Sequence, residues 1–150
     1  MRKESEQLKS ISALLRAQST LALATADQDG VPSVAPLFYI LDEDLNLYWL
    51  SSQSSRHSRN LAINPVASAT VYRQTENWKE ICGVQMRGTI QTIADPAQRA
   101  QFIGAYCQRF NLGSVLRLAI RRSTLYRFHP QWFRYIDNSV RFGYAFELTR

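Results

Sequence analysis

At 150 residues, with 45% hydrophobic, 20% charged and 11% aromatic side chains, the chain has the composition of one globular domain spanning residues 1–150, which excludes a disordered or membrane-embedded polypeptide. Its net charge of +6 and pI near 9.7 point to an anionic partner: a phosphorylated cofactor, nucleic acid or an acidic membrane surface. Of the 18 basic residues only Lys3, Lys9 and Lys79 are lysines, so the excess is arginine, whose planar fork suits phosphate and carboxylate. No apolar run approaches the roughly 20 residues that span a bilayer. MRKESEQLKS is polar and of mixed charge where a secretion signal needs a basic start and an apolar stretch, so the expected compartment is the cytoplasm, with no membrane partner. Cys82 and Cys107 form no CxxC and read as reduced core residues, and two imidazoles, His57 and His129, are too few for a zinc site.

In chain order, Leu8, Ile11, Leu14 and Leu15 recur at helical spacing and predict an amphipathic helix from residue 4 to about 18. STLALATA and VPSVAPLFYIL are strands joined by DQDG, whose Asp-Gly ending signals a hairpin. A turn at DEDLN leads into the strand LNLYWLSS, and the first half reads as an antiparallel meander. ASATVYRQ and GVQMRGTIQTIA are strands separated by the polar TENWKE. Asp95 and Pro96 are an N-cap and a first helical residue, and the Phe102, Ile103, Tyr106, Phe110 stripe carries that helix to about Arg109. NLGSVLRLAI adds a shorter helix, and TLYRFHP, QWFRYID and YAFEL are the last strands, with His129 a turn residue at the junction before Pro130. Hairpin-linked strands without βαβ alternation favour a mainly β barrel with flanking helices over a doubly wound sheet.

SSQSSRHSRNL, residues 51–61, gathers hydroxyls and basic side chains at a helix start near Ser54 or Ser55. Such an end leaves backbone N–H groups unpaired and attracts anions, and Arg56 and Arg59 in its first turns suit a two-pronged hold on phosphate. A serine-capped, solvated basic helix face accounts for the same residues without a ligand. A second arginine cluster, Arg117, Arg121, Arg122 and Arg127, suits nucleic-acid phosphates. No aromatic interleaves with it to stack bases, and arginines at a helix C-terminus are favoured by the dipole alone, so nucleic acid is not the expected partner. No acid–base pair or nucleophile stands out.

Taken together, DGVPSVAPLFY, LYWLSSQSSRHSRNLAINPVASATVY, GVQMRGTI and FRYIDNSVRFGY resemble, in order, segments of the pyridoxamine 5'-phosphate oxidase-like family of FMN-binding split barrels, over about residues 19–146. The resemblance implies a six- to seven-stranded antiparallel split barrel, a homodimer with FMN in the cleft between subunits, and an FMN-dependent oxidoreductase acting with an unnamed small-molecule substrate or electron donor. The alternative is a non-catalytic module that holds flavin or haem. Ser51 and Ser55 fall where the family places hydroxyls on the FMN phosphate, and Arg56 falls on its phosphate-binding arginine. His57 departs from a position that is often lysine. The resemblance further implies that Val34, Ala35 and Pro36 present backbone to the isoalloxazine and that Gln85 reaches its pyrimidine edge. The basic residues that the vitamin-processing oxidases carry for their substrate's own phosphate have no match here. Trp49, Trp132, Phe133, Tyr135, Phe142 and Tyr144 are more large aromatics than one small barrel need enclose, in keeping with a dimer.

Overall fold

A computed structural model describes residues 2–150. Helix α1 (Arg2–Ala17) is followed by β1 (Thr20–Ala26), β2 (Pro32–Phe38), the two-residue β3 (Ile40–Leu41), β4 (Leu47–Ser51), α2 (Arg56–Ile63), β5 (Val66–Tyr72), β6 (Cys82–Thr92), α3 (Pro96–Phe110), α4 (Ser114–Arg121), β7 (Thr124–Asp137) and β8 (Ala145–Thr149). All pairings are antiparallel, in the order β2-β1-β5-β6-β7-β4-β3, with β8 on the far part of β7.

That order defines the shape. β2 and β3 stand at opposite ends of a seven-strand path, yet only Tyr39 separates them in the chain. The sheet must therefore curl until its ends meet, leaving a seam without ladder hydrogen bonds, which is a barrel split along one side. The expected meander is corrected accordingly: β1–β2 and β3–β4 are hairpins, but β2 does not pair with β3. Tyr39 turns the chain across the seam, completely buried, with its N–H donating to the Ser19 carbonyl at 3.0 Å and its hydroxyl donating to the Leu15 carbonyl.

Alternation along β1, with Leu21, Leu23 and Thr25 inward and Ala22 and Ala24 outward, fills the barrel and leaves small side chains on its outer face. Trp49, Phe128, Phe133, Leu47 and Val84 complete the interior, and Ile11, Leu14 and Leu15 of α1 join it. Each such aliphatic side chain contributes about 1.5–3 kcal/mol on burial, which holds α1 to the barrel. A second cluster lies under α3, where Phe102 stacks on Tyr48 at 3.8 Å between ring centroids and Tyr106 packs with Ile40, Leu125 and Ile120. Cys82 and Cys107 are buried free thiols, and burial pushes the Cys82 thiol up.

TLYRFHP and QWFRYID are one strand rather than two, so His129 is a strand residue and not a turn; its Nδ1 lies 2.7 Å from Asn46 Oδ1. The sequence break at Pro130 is instead a β-bulge. Arg87 pairs with Trp132 and Gly88 with Pro130, leaving Gln131 as the extra residue. A proline, lacking its N–H, is tolerated in a long strand at such an irregularity. The Gln131 carbonyl accepts the Arg150 N–H at 2.9 Å instead of a ladder partner.

Candidate functional site

β4 ends at Ser51 and delivers the chain into a serine-rich turn whose own groups close it: the Ser52 hydroxyl accepts the Ser54 N–H at 3.2 Å. Ser55 then caps α2 from an extended conformation, φ −64° and ψ 151°, its Oγ accepting the Ser58 N–H at 3.3 Å and donating to Ser58 Oγ at 2.8 Å. The N–H groups of Arg56 and His57 precede the intrahelical ladder, at the positive end of the helix. The His57 ring folds back so that Nε2 sits 2.8 Å from Ser51 Oγ and 3.1 Å from Ser55 Oγ. Burial holds the imidazole below its ordinary value, so it is neutral near pH 7. Ser51, Ser55 and His57 thus converge on one spot.

The two arginines behave differently. Arg56 is exposed and has no hydrogen bond or ion pair with the described residues. Arg59 turns its guanidinium back onto the Ser54 carbonyl and braces the turn. One turn beyond Arg56, on the same helix face, Asn60 is buried and donates to Thr25 Oγ1 at 3.0 Å and Ser33 Oγ at 3.2 Å, while those two hydroxyls lie 3.3 Å apart. This triad fastens α2 across β1 and β2. Sequence reasoning missed it, although an asparagine in an amphipathic helix, placed one turn after the candidate ligand and before a core leucine, is a legible signal for a buried polar anchor.

Next to Thr25 and Ser33 along β1 and β2 stand Ala24 and Val34, where a trough of about 390 Å³ crosses the outer face of the sheet. Ala22, Ala24, Ser68 and Thr70 form a floor of small side chains, and Val34, Gln85, Arg87 and Trp132 rise around it. β2 is a free edge. Pro36 has no N–H to offer β1, so its nitrogen faces outward, and by strand parity Val34 also points its N–H and carbonyl off that edge while Ala35 turns toward Leu23. The Arg87 guanidinium lies 4.4 Å from the centroid of the Trp132 ring. Gln85 and Val34 therefore share one concavity, and the α2 turn is joined to its end through Asn60. Of the six aromatics named from sequence, Trp49, Phe133 and Tyr135 fill the core, whereas Phe142 is 76% exposed.

A curled antiparallel sheet with an unbonded seam, and a basic, serine-capped helix start beside it, defines a split barrel. The sequence profile described as pyridoxamine 5'-phosphate oxidase matches residues 8–137, and the chain belongs to that family. Among curated relatives, a UPF0306 protein of Yersinia pseudotuberculosis is 28% identical over 142 residues, covering 93% of this chain and 91% of that protein. Among solved structures, the conserved hypothetical protein Rv2991 of Mycobacterium tuberculosis superposes with a TM-score of 0.78 at 16% identity, over 87% of this chain and 84% of that one. HutZ of Vibrio cholerae, described as a heme storage protein, superposes with a TM-score of 0.68 at 21% identity, over 81% of this chain and 88% of that one. Campylobacter jejuni ChuZ gives 0.82 at 15%, over 97% of this chain and 60% of that one. At these identities the likeness is one of fold. Among the described residues, no helix is long and apolar enough to cross a membrane.

Proposed function

We propose that this protein binds FMN and acts as an FMN-dependent oxidoreductase on a small molecule, with the flavin in a cleft between two copies of the chain. The observation that carries this reading is the convergence of Ser51, Ser55 and His57 at a helix N-terminus that leaves Arg56 free, tied by Asn60 to the end of a small-floored trough. The residues suit the group: Arg56, the Ser51 and Ser55 hydroxyls and the first N–H groups of α2 would hold its phosphate. The alanine floor admits a flat ring that larger side chains would exclude, and Gln85 and the Val34 edge offer hydrogen-bonding groups beside it. FMN, when bound, supplies the redox chemistry, and the chain supplies anchorage, orientation and shelter from water.

The trough covers only one face of a planar ligand, and Val34 at its rim is 69% exposed. A second copy would close the other face, which is why the proposal includes a homodimer. Haem is the second reading. It draws on the neighbours described as a heme storage protein and as a heme binding protein of Mycobacterium smegmatis, and in this chain it would need His129 or His57. His129 is engaged with Asn46, and His57 lies within the serine cluster. The visible spectrum of purified protein separates the readings: flavin bands, regained when FMN is added to stripped protein, with light scattering of a dimer, are expected. A Soret band, or failure to take up FMN, would overturn the proposal.

His57 adds a pH signature. Its folded value lies below the ordinary imidazole value, so the stability of the flavin-free protein falls as pH drops from about 6.5 through that lower value. A phosphate beside the ring acts in the opposite sense and favours the imidazolium. FMN binding should therefore raise the proton occupancy of His57, and the ratio of His57→Gln to wild-type Kd should rise as pH falls from about 8 to 6. The second proton of free FMN phosphate, near pH 6, is common to both measurements and drops out of the ratio. A ratio independent of pH would remove His57 from the phosphate site.

A further inference from the structure

We propose that the groove between α3 and α4 is a second ligand site, separate from the α2 turn, for an amphiphilic anion: one carboxylate or phosphate head on an apolar body. The groove is open to solvent and has a volume of about 810 Å³, within the range of roughly 300–1,000 Å³ usual for small-molecule sites. Its two walls differ in chemistry. Along α3, Ala100, Ile103, Gly104 and Cys107 follow one another at helical spacing and make a low apolar strip, deepened at Gly104, where a Cβ would meet nothing within 4 Å. Along α4, Arg117 and Arg121 stand one turn apart on the same face and overlook that strip.

The arginines are held ready for an anion. Arg99, at the end of the groove, is pinned by donating Nη2 to the carbonyls of Arg121 at 3.0 Å and Ser123 at 2.7 Å. Arg117 is tethered only through Nε, which donates to the Leu112 carbonyl at 3.2 Å, so its terminal amino groups remain available. Arg121 has no side-chain partner among the described residues. Among the described residues none of the three has an acidic partner, and from Pro96 to Ile136 the chain contains seven arginines and no Asp or Glu. Three guanidinium groups around one opening with no internal counter-charge are complementary to an anion. A head group alone would leave the apolar strip uncovered, and an uncharged chain would leave the arginines unpaired. An amphiphilic anion satisfies both walls.

Isothermal titration of the full-length protein with dodecanoate and dodecyl phosphate, each below its micellar concentration, tests the proposal. Saturable binding of one molecule per chain is expected, with dodecanol at least about tenfold weaker, and the tighter of the two anions identifies the head group. Arg117→Gln combined with Arg121→Gln should weaken binding at least about tenfold, and Gly104→Leu should block the strip, while Arg56→Ala changes neither. The arginine pair is exposed, so its substitution keeps the test valid where Gly104→Leu disturbs folding, and melting curves report which holds. No saturable binding, equal binding by the arginine double variant, or a loss with Arg56→Ala instead would overturn it. So would binding confined to duplex DNA or to anionic phospholipid vesicles, which would make this face a macromolecular or lipid-surface contact.

Discussion

Replacing Arg56 with alanine is expected to weaken FMN binding by roughly thirty- to a thousandfold while leaving riboflavin binding unchanged. The magnitude follows from removing a charge-assisted, two-pronged contact in a partly dry cleft, on the order of 2–4 kcal/mol, which converts to that range of Kd. Riboflavin lacks the phosphate and so reports on the ring site alone. Arg59→Ala should cost less. Its guanidinium is already engaged with the Ser54 carbonyl, and it lies further from the helix end. Arg141, exposed beside the Tyr144 ring, serves as a surface control. Fluorescence titration with both flavins decides the matter: equal FMN affinity for wild type and Arg56→Ala would reduce Ser51 to Leu61 to a capped, solvated helix start.

The local parts of this arrangement were legible because their causes are local. A serine cap near Ser54 or Ser55 is read since a hydroxyl before an apolar-periodic run has few other uses, and of the two the structure makes Ser55 the cap, with α2 beginning at Arg56. Asp95 and Pro96 mark the start of α3 for the same reason, and the side chain of Asp95 accepts the Gln98 N–H at 2.9 Å. What escaped depends on contacts distant in sequence. The Asn60–Thr25–Ser33 triad joins residues up to 35 positions apart, and nothing near Asn60 announces its partners. The strand order, with β5 inserted beside β1 and β4 beside β7, is fixed by barrel closure rather than by any turn. Pro130 looked like a boundary because proline ends most strands. Only the pairing with β6 reveals that the ladder continues past it through one extra residue.

Gly88→Ala is expected to destabilise the fold by about 3 kcal/mol or more, and so to lower the melting temperature by roughly 6–12 °C for a chain of this size. The glycine faces the bulge: a Cβ built there would lie 2.0 Å from the His129 carbonyl oxygen, 2.8 Å from the His129 carbonyl carbon and 2.8 Å from the Pro130 Cα. All three are backbone atoms, so no rotamer change relieves the overlap, and β7 must move away from β6. Movement there is transmitted to Trp132, two residues beyond Pro130, which walls the trough opposite Val34. Flavin affinity should therefore decline together with stability, and by more than riboflavin-phosphate discrimination explains, because the ring site rather than the anchor is displaced. Gly104→Ala is the matched control. Its Cβ meets nothing within 4 Å on the exposed face of α3, and replacing a mid-helix glycine removes backbone entropy, so its melting temperature should hold or rise, by up to about 1 kcal/mol of added stability. Thermal melts of the two variants side by side distinguish a clash from a general intolerance of alanine. A Gly88→Ala protein melting within about 2 °C of wild type would show that the β6–β7 bulge yields at little cost, and the trough would then have a movable wall at Trp132.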